Sequence, residues 1–129
     1  MDEIKSMIEY GIESGIKPPI YLESDQETPG LVKFISELLD EKSMDMMIIN
    51  LDQMSLAELK DSFPKENPMD KGGIIFIEGI EEAKPENKKM IFDKIADGTI
   101  PEVWQIVAKG PSTVNDKEIV DNFTRVKLN

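Results

Sequence analysis

Two acidic clusters and one strand-end dipeptide hold most of the chemistry open to this chain. The apolar run Ile74-Ile75-Phe76-Ile77 ends in Glu78-Gly79. A carboxylate at the end of a buried strand can orient a metal ion, and a second acid beside it can polarise a water. The second position here is glycine, which has no group for that task. Glu23, Asp25 and Glu27 form one cluster, in a polar loop behind the short apolar run Ile20-Tyr21-Leu22. Glu81-Glu82 form the other, either a small metal-binding pair or simply acids that favour the dipole of a helix starting just after them. The chain has no His and no Cys. Ser-His-Asp and Cys-His nucleophile systems, His- or thiolate-based zinc sites and disulfides are therefore excluded. Carboxylates, lysines and backbone amides remain.

Asp and Glu number 26 against 15 Lys and Arg, a formal net charge of -11. Such a surface repels phosphate backbones and anionic lipid, so direct contact with DNA or RNA is disfavoured. Arg125 is the only arginine, which leaves little for bidentate capture of phosphate. The excess charge serves solubility, suits a basic partner, or mimics a nucleic acid. With 129 residues and 40% hydrophobic content, the chain is expected to form a single α/β domain over residues 1–129. No apolar run approaches the ~20 residues that span a bilayer. The N-terminus, MDEIKSMIEYGI, lacks the basic and long apolar regions of a signal peptide. A cytoplasmic protein without membrane contact is expected.

The elements that must position these residues follow from periodicity. Ile4, Met7, Ile8 and Ile12 predict a helix over about 1–14, stopped at Gly15. Pro18-Pro19 introduce a first strand at Ile20 to Leu22. Thr28 is expected to cap a second helix with Pro29 in its first position, and Leu31, Phe34, Ile35, Leu38 and Leu39 form its apolar stripe. Met46-Met47-Ile48-Ile49 predicts a second, buried strand, and Ser55-Leu56-Ala57-Glu58 has capping-box spacing. Ile74 to Ile77 is the third strand. Pro85 opens a helix that Gly98 closes, and Val103 to Ala108 is a fourth strand with Trp104 in the core. A turn at Lys109 to Ser112, a short helical piece at Glu118 to Val120 and a half-exposed strand at Thr124 to Leu128 complete the chain. Alternating strands and helices imply a parallel sheet covered on both faces by right-handed crossovers. Met44, Met46, Met47 and Met54 read as a strand end meeting the core. Lys84, Lys88, Lys89 and Lys94 read as a solvated helix face.

The block from Gly72 to Pro111 resembles the AAA+ ATPases, especially their MoxR-like branch. The matching residues are Gly72, Gly73, Ile74, Ile75, Phe76, Ile77, Ile80, Pro85, Ile95, Pro101, Trp104, Ile106, Val107 and Ala108. Downstream, DNFTRVKL is similar to the segment that leads into the family's fifth core strand. The resemblance covers residues 16 to 128 and implies a P-loop NTPase-like sheet of order 5-1-4-3-2, without the C-terminal helical lid. It also places the family's chemistry residue by residue. The phosphate loop falls on Ser24, Asp25, Gln26, Glu27, Thr28, Pro29 and Gly30, after Glu23. Pro29 stands where the family's Lys is needed, and Gly30 where its hydroxyl is needed. A carboxylate ~4 Å from a phosphate charge costs about 4 kcal/mol at an effective dielectric near 20. Two such contacts offset the roughly 8 kcal/mol of micromolar binding.

Glu78 replaces the Asp that orients Mg²⁺, and Gly79 the Glu that activates water. A polar sensor residue is missing near Gly110-Pro111, and Asn122 stands at the arginine-finger position before Phe123. The expected protein is thus a degenerate, catalytically inactive AAA+-like domain with no cofactor and no metal. Its expected role is in protein interaction or regulation, with an AAA+ relative or itself as partner. One alternative is a nucleotide-binding subunit with noncanonical contacts, Lys33 for phosphate and Glu78 for Mg²⁺. The other is an acidic nucleic-acid mimic.

Overall fold

The computed structural model describes residues 2–114 and 116–128. Helix α1 (Asp2–Ser14) ends at Gly15, whose φ of 76° turns the chain toward Pro18-Pro19 and strand β1 (Ile20–Glu23). There follow α2 (Leu31–Asp40), β2 (Asp45–Asn50), α3 (Leu56–Ser62), β3 (Gly73–Glu78), α4 (Pro85–Asp97), β4 (Trp104–Gly110), α5 (Lys117–Asn122) and β5 (Thr124–Lys127). The five strands form one parallel sheet in the order β2-β3-β4-β1-β5, which is 5-1-4-3-2 read from its other edge. Among the described residues no helix is long and apolar enough to cross a membrane.

Two apolar layers hold the sheet. On one face Ile4 and Ile8 of α1 and Leu31, Ile35, Leu38 and Leu39 of α2 pack on Leu22, Ile74, Phe76, Val107 and Val126. On the other, Leu59, Ile91 and Ile119 of α3, α4 and α5 pack on Tyr21, Ile49, Ile75, Ile77, Ile106 and Ala108. Because both faces are covered, β3 is buried from Gly73 to Ile77 and reads as an unbroken apolar run. Its start is squeezed between neighbours. A Cβ on Gly73 would lie 1.7 Å from the Asp45 carbonyl oxygen, and one on Gly72 2.0 Å from that of Val103. Only glycine allows this approach.

The structure corrects several expectations. Thr28 does not cap α2 and Pro29 is not inside it. The N-cap is Gly30 in the left-handed region, and the Leu31 N–H donates to the Thr28 carbonyl at 3.2 Å in a turn just before the helix. Strand β2 is only partly buried, with Ile49 in the core and Met46 and Met47 half-buried. It forms one edge of the sheet, and Ile48 is 49% exposed. Strand β1 includes Glu23, and β4 continues through Lys109 and Gly110, so the expected turn starts later. Trp104 is buried as expected, and its Nε1–H donates to Asp70 Oδ2 at 3.0 Å. The Ser55–Glu58 capping box is present in both directions.

One buried polar residue fixes the segment after β2. Asn87 of α4 is fully buried, and its Nδ2 donates to the Met54 carbonyl at 2.8 Å and to that of Leu51 at 3.4 Å. Truncation leaves both carbonyls without this donor. Asn87→Ala is expected to cost about 2 kcal/mol, read as a lower urea midpoint with an unchanged slope.

Candidate functional site

In open α/β sheets, ligands bind beyond the carboxyl ends of the strands, where the strand order reverses. Here that end is marked by Glu23, Glu78, Lys109 and Gly110. In register, Glu23 pairs with Gly110, and Glu78 with Lys109 on one side and Asn50 on the other. The parallel ladder thus fixes the expected strand-end acid, Glu78, at the centre of the crevice.

The segment after β1 is folded onto the segment after β4. The Ser24 N–H donates to the Gly110 carbonyl at 2.9 Å. The Ser24 hydroxyl donates to the Gln26 carbonyl at 2.7 Å and accepts from the Gln26 N–H at 3.3 Å. Asp25 takes two bonds from one residue. Its Oδ1 accepts from the Ser112 N–H at 2.9 Å and its Oδ2 from the Ser112 hydroxyl at 2.5 Å. Those bonds, first from the hydroxyl and then from the backbone, hold the Asp25 carboxyl below its ordinary range, and the charge of Lys127 acts in the same direction. Arg125 joins the cluster by an ion pair with Glu23, and its Nη2–H donates to the Ser112 carbonyl at 3.1 Å. Beneath them Tyr21 donates its hydroxyl to the Pro111 carbonyl at 3.0 Å. Burial, reinforced by the charge of Glu81, pushes that phenol well above its usual value. A Cβ on Gly110 would lie 2.2 Å from the Tyr21 oxygen, so the chain can pass there only as glycine.

Part of this loop's donor capacity is already taken by its own bonds. A phosphate cradle needs convergent free N–H groups and a cation. In this loop the N–H groups of Ser24, Gln26 and Leu31 are already committed, and Pro29 has none. Glu27, Thr28 and Pro29 line a shallow cleft of about 230 Å³ with Phe76, Glu78 and Lys109. That is below the ~300–1,000 Å³ of small-molecule pockets. A neighbouring cleft of about 310 Å³ contains Asp52, Glu78, Glu81 and Glu82 against Lys109. Among the described residues no group of three or more His, Cys, Asp or Glu is arranged to hold a metal ion.

Gly79 is more constrained than a missing acid. Its φ is 73°, and a Cβ there would lie 2.3 Å from Asp52 Oδ1. The Asp52 side chain fills the space that a side chain at residue 79 would need. The remaining candidates lie outside the crevice chemistry. Lys33 is exposed on α2 and pairs with Glu37 at 3.9 Å. Asn122 donates to the Glu118 carbonyl at 2.8 Å within α5. Of the lysine face, Lys88 pairs with Asp116, Lys89 with Asp93, and Lys94 lies 5.0 Å over the Phe63 ring. Ser112 and Tyr21 carried no motif in the sequence.

Comparison with solved structures decides what this scaffold is. A mutant of RuvB from Thermotoga maritima matches all of this chain with a TM-score of 0.72 at 13% identity. The chain shares the P-loop NTPase-like fold of this structure. A second T. maritima structure, the RuvB Holliday junction branch migration motor, superposes on 99% of the chain with a TM-score of 0.68 at 12% identity. A DNA polymerase III gamma subunit-related protein from T. maritima gives 0.65 at 15% identity over 99% of the chain. The chain spans 46%, 43% and 45% of those three structures. No family model and no curated protein matches the sequence.

Two outcomes follow from the crevice. The depressed Asp25 carboxyl contributes stability above the unfolded value near 3.9, and that contribution disappears as pH falls through its lower folded value. In an NMR titration the Ser112 amide should move with a midpoint below that of an ordinary Asp, and Asp25→Asn should abolish the step. Gly79→Glu should cost about 1–3 kcal/mol through left-handed strain alone, seen in thermal melts, and should produce no phosphate release from ATP.

Proposed function

We propose that this chain is a nucleotide-free AAA+-type domain that works as a protein-interaction or regulatory module. The observation that carries the reading is the loop from Ser24 to Gly30. It is bonded to the segment after β4 through Asp25 and Ser112, has no lysine, and presents Asp25 and Glu27 where phosphate would lie. Gly79, backed by Asp52, removes the water-activating position as well. The pattern from Gly72 to Pro111 favours the MoxR-like branch as the origin of the scaffold.

An AAA+-type core keeps its lateral surfaces when its crevice is lost, because those surfaces are built by the helices and sheet edges that hold the fold. The scaffold is shared with a branch migration motor and with a clamp loader delta protein from Bacillus subtilis, the latter at a TM-score of 0.56. By that likeness the partner is a protein, either an active AAA+ relative or a second copy of this chain. A net charge of -11 argues against direct contact with nucleic acid.

Thermal melting with Mg²⁺-ATP tests the nucleotide half of the reading. Ligand at a hundredfold excess over Kd stabilises by about 2.7 kcal/mol, a rise of several degrees for a chain of this size. No rise is expected at millimolar ATP, and a saturable rise would refute the proposal. Co-expression with the AAA+ ATPases of its source should yield a stable complex on size exclusion. Elution of the chain alone in every pairing, as a monomer, would refute the interaction half.

A further inference from the structure

A cavity at the opposite end of the strands from the crevice has chemistry of its own. It lies where β1 and β4 begin, beside Pro19 and Trp104, with Gly15 at the end of α1 and Gly98 at the end of α4 in its walls. Its volume is about 370 Å³, larger than either crevice cleft and within the ~300–1,000 Å³ of small-molecule sites. The floor is apolar, formed by Ile95, Ile100, Trp104 and Ile106, which pack into the core on that face. Lys17 and Glu102 also line it. Among the described residues neither forms an ion pair, with each other or with any third group. The other charges nearby are committed elsewhere. The Lys94 ammonium lies over Phe63, and Asp70 accepts from the Trp104 indole and the Gly72 N–H. Asp97, next to Gly98, lines the groove between α3 and α4 instead.

We propose that this cavity binds a free α-amino acid with an apolar side chain. Its carboxylate meets Lys17, its ammonium meets Glu102, and its side chain lies on Trp104 and Ile106. Both polar contacts are charge-assisted, the stronger class of hydrogen bond. The C-terminal end of α4 at Gly98 adds partial negative charge, which favours the ammonium. A purely anionic ligand would meet Glu102, and a purely cationic one Lys17. Two opposite charges that share a cavity without pairing are both satisfied only by a ligand that carries both. The site goes beyond the interaction-module reading and does not depend on it, because the crevice lies at the other ends of the same strands.

Trp104 is the only tryptophan of the chain, so its emission reports on the cavity. The whole chain is titrated with L-leucine, N-acetyl-leucine, leucinamide and glycine. L-leucine should give a saturable change in emission, with amide shifts at Gly15, Gly98 and Trp104 in NMR. N-acetyl-leucine lacks the ammonium, leucinamide the carboxylate and glycine the apolar group. Each should bind about tenfold more weakly than leucine, or not at all. Lys17 is half-buried and Glu102 exposed. Lys17→Gln and Glu102→Gln should therefore keep the melting temperature, and each should weaken leucine binding about tenfold. No saturable change at millimolar leucine overturns the site, as does leucine binding that survives both variants. N-acetyl-leucine or leucinamide binding as well as leucine overturns the choice of a zwitterion.

Discussion

The carboxylate of Asp25 is bonded to Ser112, and the shape of the crevice depends on that contact. In a parallel α/β sheet the carboxyl ends of the strands collect the free N–H groups and dipoles that attract anions. Here an acid from the protein itself takes up part of that capacity. Asp25 accepts the Ser112 amide and hydroxyl, Arg125 is shared between Glu23 and the Ser112 carbonyl, and Tyr21 anchors Pro111 from below. The loop after β1 and the segment after β4 are joined into one closed rim. A phosphate arriving there would have to displace a carboxylate from its donors while facing Glu27 and Glu78.

Gly79 extends the same logic to β3. An acid could be placed at residue 79 by one substitution only if the backbone had room for it. At this position the left-handed backbone and the Asp52 carboxylate have taken that room. Asp52 belongs to the segment that Asn87 ties to α4 through the Leu51 and Met54 carbonyls. The crevice and the core behind it are thus linked through one buried amide.

Much of this was legible in the sequence, and for identifiable reasons. Strand β3 declares itself because burial on both faces demands an unbroken apolar run, and α4 because Pro85 and Gly98 bracket it. Strand order came from the likeness of the Gly72–Pro111 block to a known scaffold, since periodicity alone cannot order strands. The run Met46 to Ile49 reads as fully buried, yet only Ile49 is, because an edge strand has the composition of an interior one. Thr28-Pro29 has good capping chemistry, yet Gly30 begins the helix after a backbone turn. The Asp25–Ser112 contact joins residues 87 positions apart, and no local pattern encodes it.

The proposed nucleotide-free role requires that the rim between Ser24 and Gly30 offer no seat for phosphate. Its most direct measurement is an amide NMR titration of the chain with Mg²⁺-ADP, following residues 24 to 33. The account predicts that these resonances stay in place up to millimolar nucleotide. Saturable shifts of the Thr28, Gly30 and Leu31 amides, with loss of the Ser112 signature, would contradict it.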